Sequence, residues 1–154
     1  MLFRSNRAFA AAVREGDPDA FVRTTASLPA ALLGLVRETA RQALAEAVDG
    51  FDPEAILVLH AGIFADLAVE TGLPVVIHAT ESDLEAARKD LRVCELVAAA
   101  LASAEGVVPA DEATAKVLEA HWCDGPVAPV AAAEGDGVAV LAAAVRHACR
   151  KRDG

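Results

Sequence analysis

Residues 53–83 read PEAILVLHAGIFADLAVETGLPVVIHATESD, and the alternation within this stretch decides the fold. Ile56, Leu57, Val58 and Leu59 form an unbroken apolar run that stops at His60-Ala61-Gly62. A run apolar on both faces marks a strand covered by helices on two sides. Ile63 to Thr71 has a helical pattern ended by Gly72, and Pro74-Val75-Val76-Ile77-His78 repeats the strand signal. A third run, Gly106-Val107-Val108-Pro109-Ala110, follows a long apolar helical stretch from Leu91 to Ala104. Strands alternating with helices predict parallel pairing through right-handed crossovers.

Outward from this centre the signals are mostly helical. Arg4 to Glu15 reads as a short helix stopped by Gly16-Asp17-Pro18, and Asp17 caps a second one carrying Ala20, Phe21 and Thr24. Ser27 is expected to cap a longer helix whose apolar stripe includes Leu28, Leu32, Leu35, Val36 and Leu44. Its solvated face holds Arg37, Glu38, Arg41, Gln42 and Glu46, and Gly50 ends it. Ser82 and Asp83 are expected to cap the helix after the second strand, with a break near Asp90. Asp111 is expected to cap the helix running to Trp122. Pro126 to Val130 reads as a short edge strand, 131–137 as a loop and Val138 to Arg152 as a closing helix. The predicted architecture is a three-layer α/β fold, a Rossmann-like parallel sheet of three to five strands with helices on both faces. It forms a single domain over 1–154, with a helical N-terminal region (1–50), a core (51–122) and the closing helix (138–152).

Composition narrows the function classes. The 154 residues carry 14 Lys and Arg against 23 Asp and Glu, a net charge of −9, which disfavours nucleic acid and anionic membranes as partners. No apolar run reaches the ~18 residues of a membrane span, and no secretory signal is read at the N-terminus. Abundant Ala and a preference for Arg over Lys suit a high-GC bacterial genome. Cys94, Cys123 and Cys149 are odd in number and widely spaced, so neither a disulfide framework nor a metal site is expected. A reducing cytoplasm fits them, with Cys94 a buried thiol. The motifs GxGxxG, Walker A, HExxH and GxSxG are absent, and no cofactor is expected.

Ligands of such sheets bind at the C-terminal ends of the strands. His60 and His78 end adjacent strands, within roughly 5 to 10 Å of each other by strand spacing. Each is a candidate general base or hydrogen-bond donor, and Glu81 is a candidate base beside them. Gly62 would let a ligand approach the backbone, while Thr80, Ser82 and Asp83 are candidate binding groups that serve equally well as helix caps. Leu2, Phe3, Phe9, Val13, Phe21 and Val22 make the N-terminal segment apolar enough to suggest an interface, most simply of a homodimer.

Phe51 to Trp122 resembles the acceptor-side, N-terminal domain of family 4 glycosyltransferases, of the two-Rossmann-domain GT-B class. The likeness rests on the strand ending in His60-Ala61-Gly62, on Gly72-Leu73-Pro74-Val75-Val76, on Ser82-Asp83-Leu84 after the next strand, and on Leu101 to Val108. Aligned on Ser82-Asp83-Leu84, the family's His-Gly falls on Thr80-Glu81, two positions after His78. The resemblance implies a half domain that faces a small-molecule acceptor and transfers sugar from a nucleotide sugar only with a donor-binding partner. Two alternatives stand beside it: a non-catalytic binding or assembly module that keeps the fold without the chemistry, and an unrelated small α/β enzyme using the two histidines.

Overall fold

A computed structural model describes residues 27–122 and 137–152, together with positions 11, 14, 20, 21, 24 and 25. Most of the helix expected over Arg4 to Glu15, of which only positions 11 and 14 are described and are helical, lies outside the described residues, as do the edge strand at Pro126 to Val130, Phe9 and Cys123. The elements are α1 (Ala30–Phe51), β1 (Ile56–Val58), α2 (Ala65–Glu70), β2 (Val75–Ala79), α3 (Glu81–Arg88), α4 (Leu91–Ser103), β3 (Gly106–Pro109), α5 (Glu112–His121) and α6 (Gly137–Arg152).

The three strands are parallel in the order β1-β2-β3, as the sequence predicts. Ile56 pairs with Val75 and Val58 with Ile77, while Ile77 pairs with Val107 on the other side. Two right-handed crossovers that advance a sheet in one direction leave their helices on one face, and α2 and α4 do pack against each other. Side chains alternate along a strand. Val75, Ile77 and Ala79 of β2, with Val107 of β3, therefore enter the larger core, shared with Leu33, Ala65, Ala68, Leu84, Val93, Val97 and Leu118. Val76 and Val108 point the other way and meet Ala148, flanked by Val140, Leu141, Ala144 and Val145 of α6. Helices thus cover both faces, giving the three layers of a Rossmann-like fold. No helix among the described residues is long and apolar enough to cross a membrane.

Several boundaries differ from the sequence reading, each for a local reason. β1 stops at Val58 and is an edge strand: Leu57, on the α6 side, is 38% exposed and Leu59 56%. α6 lies over β2 and β3 and leaves β1 uncovered there, so an apolar run does not prove burial on both faces. α1 begins after Pro29, whose side chain has no acceptor to cap with, and the Ser27 hydroxyl, two residues earlier, donates to the Thr24 carbonyl at 2.7 Å. α1 runs through Gly50 and ends where Asp52 adopts the left-handed conformation, φ 46°, which Asp tolerates better than most residues. α3 is capped by Thr80 rather than Ser82 or Asp83. Cys94 is only partly buried. Phe21 packs against Phe64 with ring centroids 5.7 Å apart, so this ring joins the chain's own core.

Arg37, expected on the solvated face of α1, is instead a tie between helices. Its guanidinium meets both carboxylate oxygens of Asp66 on α2, at 2.9 and 2.5 Å, and donates to the Ile63 carbonyl as well. The pair is 13% and 16% exposed. Arg41, one turn on, bridges Glu38 and Glu70 in far more open surroundings. Arg37→Ala strands a largely buried carboxylate and an acceptor carbonyl, and is expected to cost about 2 kcal/mol. Arg41→Ala, at an exposed and solvent-screened pair, is expected to cost much less. Urea denaturation of the two variants checks the order; equal losses would contradict it.

Candidate functional site

The C-terminal ends of β1 and β2 converge on one buried carboxylate. Asp83, the third residue of α3, is 2% exposed at its side chain. Its Oδ2 accepts from the main-chain N–H of Thr80 at 3.1 Å, closing a capping box in which the Thr80 hydroxyl accepts from the Asp83 N–H at 3.2 Å. The same Oδ2 accepts from the main-chain N–H of Ala61, in the turn after β1, at 3.2 Å. Oδ1 lies 3.3 Å from Nδ1 of His60. A buried carboxylate persists only where hydrogen bonds replace water, and here three come from two segments. Asp83 therefore fastens the turn after β1 to the start of α3.

His60 is the half-exposed member of this pair, with 50% of its side chain open to solvent. His78, near the end of β2, sets its Nδ1 3.2 Å from the main-chain carbonyl of Leu59, the residue before His60. Thr80 and Ser82 share a hydrogen between their hydroxyls at 3.0 Å on the rim of the same region. Of the residues singled out from sequence, His60, Thr80, Ser82 and Asp83 thus form one network, and His78 joins it through the backbone of Leu59. Glu81 is exposed at the first position of α3 and makes no hydrogen bond or ion pair with the described residues. Gly62 donates its N–H to the His60 carbonyl at 2.8 Å, and a Cβ added there would meet nothing within 4 Å.

Asp111 organises the third strand end in the same manner. Its Oδ1 accepts from the N–H of Thr114 at 2.7 Å and from the Thr114 hydroxyl at 2.8 Å. These bonds hold the Asp111 carboxyl below the usual carboxylate range. A folded value below the unfolded one, about 3.9, means that the cap stabilises fully above that pH and is lost as pH falls through the lower folded value. Asparagine caps as well as aspartate but does not titrate. Asp111→Asn is therefore expected to fold normally and to flatten part of the decline in melting temperature below about pH 4; a decline as steep as that of the unaltered chain would contradict this.

Other regions of the surface are less suited to chemistry. A depression lined by Leu33, Gly34, Arg37, Arg92 and Glu95 lies between α1 and α4, away from the strand ends. Its two guanidinium groups are engaged by Asp66 and Asp90. No group of three or more His, Cys, Asp or Glu is placed to hold a metal among the described residues. The site at the strand ends consists of a half-exposed imidazole backed by a buried carboxylate, a second imidazole at the neighbouring strand end and two hydroxyls. Such a set can accept a proton from a ligand hydroxyl and stabilise the imidazolium that results. Neither protein-family models, curated proteins nor solved structures give a match to this chain.

Proposed function

We propose that this chain is the acceptor-side half of a sugar-transferring enzyme, with the acceptor bound at the ends of β1 and β2 and the nucleotide sugar held by a donor-binding partner. The reading is carried by one observation: Asp83 is buried behind His60, while His60 itself remains half exposed at a strand end. The imidazole is the group that would take the acceptor's hydroxyl proton, with His78 at the neighbouring strand end and the hydroxyls of Thr80 and Ser82 available for binding; Glu81 stands ready as a second base. The location we propose is the cytoplasm of a bacterium, and the assembly a homodimer or a complex with the donor-binding protein. Phe21 packs on Phe64 of its own chain and is only partly buried.

A second reading, a binding module without chemistry, is favoured by a specific feature. One amide in the first turn of each of α3 and α5, where a phosphate would sit, is already engaged: the Asp83 N–H donates to the Thr80 hydroxyl and the Thr114 N–H to the Asp111 carboxylate. Mapping of amide chemical shifts separates the readings. A neutral methyl glycoside is expected to move the signals of residues 60–62 and 78–83, and a uridine diphosphate sugar to bind the isolated chain more weakly than about 1 mM. Submillimolar nucleotide-sugar binding, or glycoside effects elsewhere, would overturn the proposal. His60→Ala is expected to change stability by less than about 1 kcal/mol, because its ring is half exposed, while abolishing the glycoside response.

A further inference from the structure

The inference that follows rests on the reading of His60 as the group that meets the ligand. A neutral imidazole has one N–H and one lone pair, and the partner of one nitrogen fixes the state of the other. At His60, Nδ1 faces Oδ1 of Asp83 at 3.3 Å, an oxygen that as carboxylate only accepts. At His78, Nδ1 faces the Leu59 carbonyl at 3.2 Å, which also only accepts. Both Nδ1 atoms must donate, which leaves the lone pair of each ring on Nε2. Neither Nε2 has a hydrogen-bond partner among the described residues.

We infer that Asp83 and the Leu59 carbonyl are positioning groups: they hold His60 and His78 as Nδ1–H tautomers, so that adjacent strand ends present two Nε2 acceptors to a neutral, hydroxyl-rich ligand. Asp83 suits this role because it cannot swing away. It is buried, and its other oxygen is tied to the N–H groups of Ala61 and Thr80. The Leu59 carbonyl belongs to the turn that also carries His60, so His78 is oriented by the segment from which His60 projects. Hydroxyl groups donate to lone pairs of this kind. An ionised oxyanion oxygen has no hydrogen to donate, and it finds the Asp83 and Thr114 amides occupied. The pair is thus selective for uncharged polyols over anions.

Long-range nitrogen–proton spectra of the 15N-labelled chain read the tautomers directly. At a pH where the rings are neutral, both histidines are expected to show protonated Nδ1 and unprotonated Nε2. Asp83→Asn keeps an oxygen for the Ala61 and Thr80 amides and turns its NH2 group, a pure donor, toward His60. The His60 signals are then expected to exchange, Nε2 becoming protonated, while His78 stays as it was. Thr80→Ala removes the cap hydroxyl but leaves the Asp83–His60 pair, and is expected to keep the tautomer despite a comparable loss of stability. A protonated Nε2 at either histidine of the unaltered chain would overturn the inference, even if Asp83→Asn failed to fold. So would an unchanged His60 in folded Asp83→Asn. Added methyl glycoside is expected to shift both Nε2 signals, and sulfate, which carries no hydrogen to donate, neither. The expected tautomers without any glycoside response would sink the sugar-transfer reading and leave the two positioning roles standing.

Discussion

Replacing Ile77 with alanine is expected to remove about 3–4 kcal/mol of stability, a large share of the 5–15 kcal/mol that holds a domain together. Ile77 is the middle residue of the middle strand and is 0% exposed. Val58 and Val107 flank it in register, and the larger core closes over it. Neighbours held by strand pairing on both sides collapse poorly into a void, so the substitution loses contacts in addition to transfer energy. Leu57→Ala is the comparison: the same kind of truncation on the edge strand, at a side chain already 38% exposed, should cost about 1 kcal/mol or less. The urea midpoint should fall for Ile77→Ala with little change in slope. Near-equal losses for the two variants would mean that the sheet is not built around β2.

That contrast marks what the sequence could convey about the fold. β2 and β3 are legible as apolar runs because their central residues are covered on both faces by helices. β1 has the same appearance but not the same environment, because composition reports that a run tolerates burial and not that a layer covers it. Leu57 and Leu59 are where this inference fails. The helix ends were partly legible: Asp111 caps as its position suggests, and Thr80-x-x-Asp83 is the spacing of a capping box, a pattern that points to Thr80 rather than to Ser82 or Asp83. Arg37 was not legible. Its partner Asp66 lies on another helix, and a helical wheel shows only that both are polar.

The candidate site divides in the same way. The placing of His60 and His78 at strand ends follows from strand order alone, since parallel strands bring their C-terminal ends to one edge of the sheet. What joins them to Asp83 does not follow from it. The bond between Asp83 and the turn after β1 depends on how far α3 begins beyond β2, and on Thr80 taking the cap so that Asp83 falls at the third helical position, turned back toward the sheet. Glu81 shows the converse: two positions earlier and also a carboxylate, it projects from α3 into solvent and its side chain joins none of the described residues.

Asp83→Ala is expected to cost about 3 kcal/mol, more than any other change at the strand ends. Three groups lose their acceptor together: the Thr80 and Ala61 amides and Nδ1 of His60. The Ala61 amide is buried, and each buried donor left without a partner costs about 1–3 kcal/mol, less what water entering beside half-exposed His60 restores. Loss of half the capping box adds to this. Removal of a desolvated charge works in the opposite direction, which keeps the total below the sum of its parts. Ser82→Ala, one residue away and exposed, should cost about 0.5 kcal/mol or less. The double variant His60→Ala, Asp83→Ala should be no less stable than Asp83→Ala alone by more than about 0.5 kcal/mol, because once the carboxylate is gone the imidazole has nothing left to hold. If Asp83→Ala were tolerated as well as Ser82→Ala, Asp83 would not be the fastening between β1 and α3, and the site built upon it would have no rigid base.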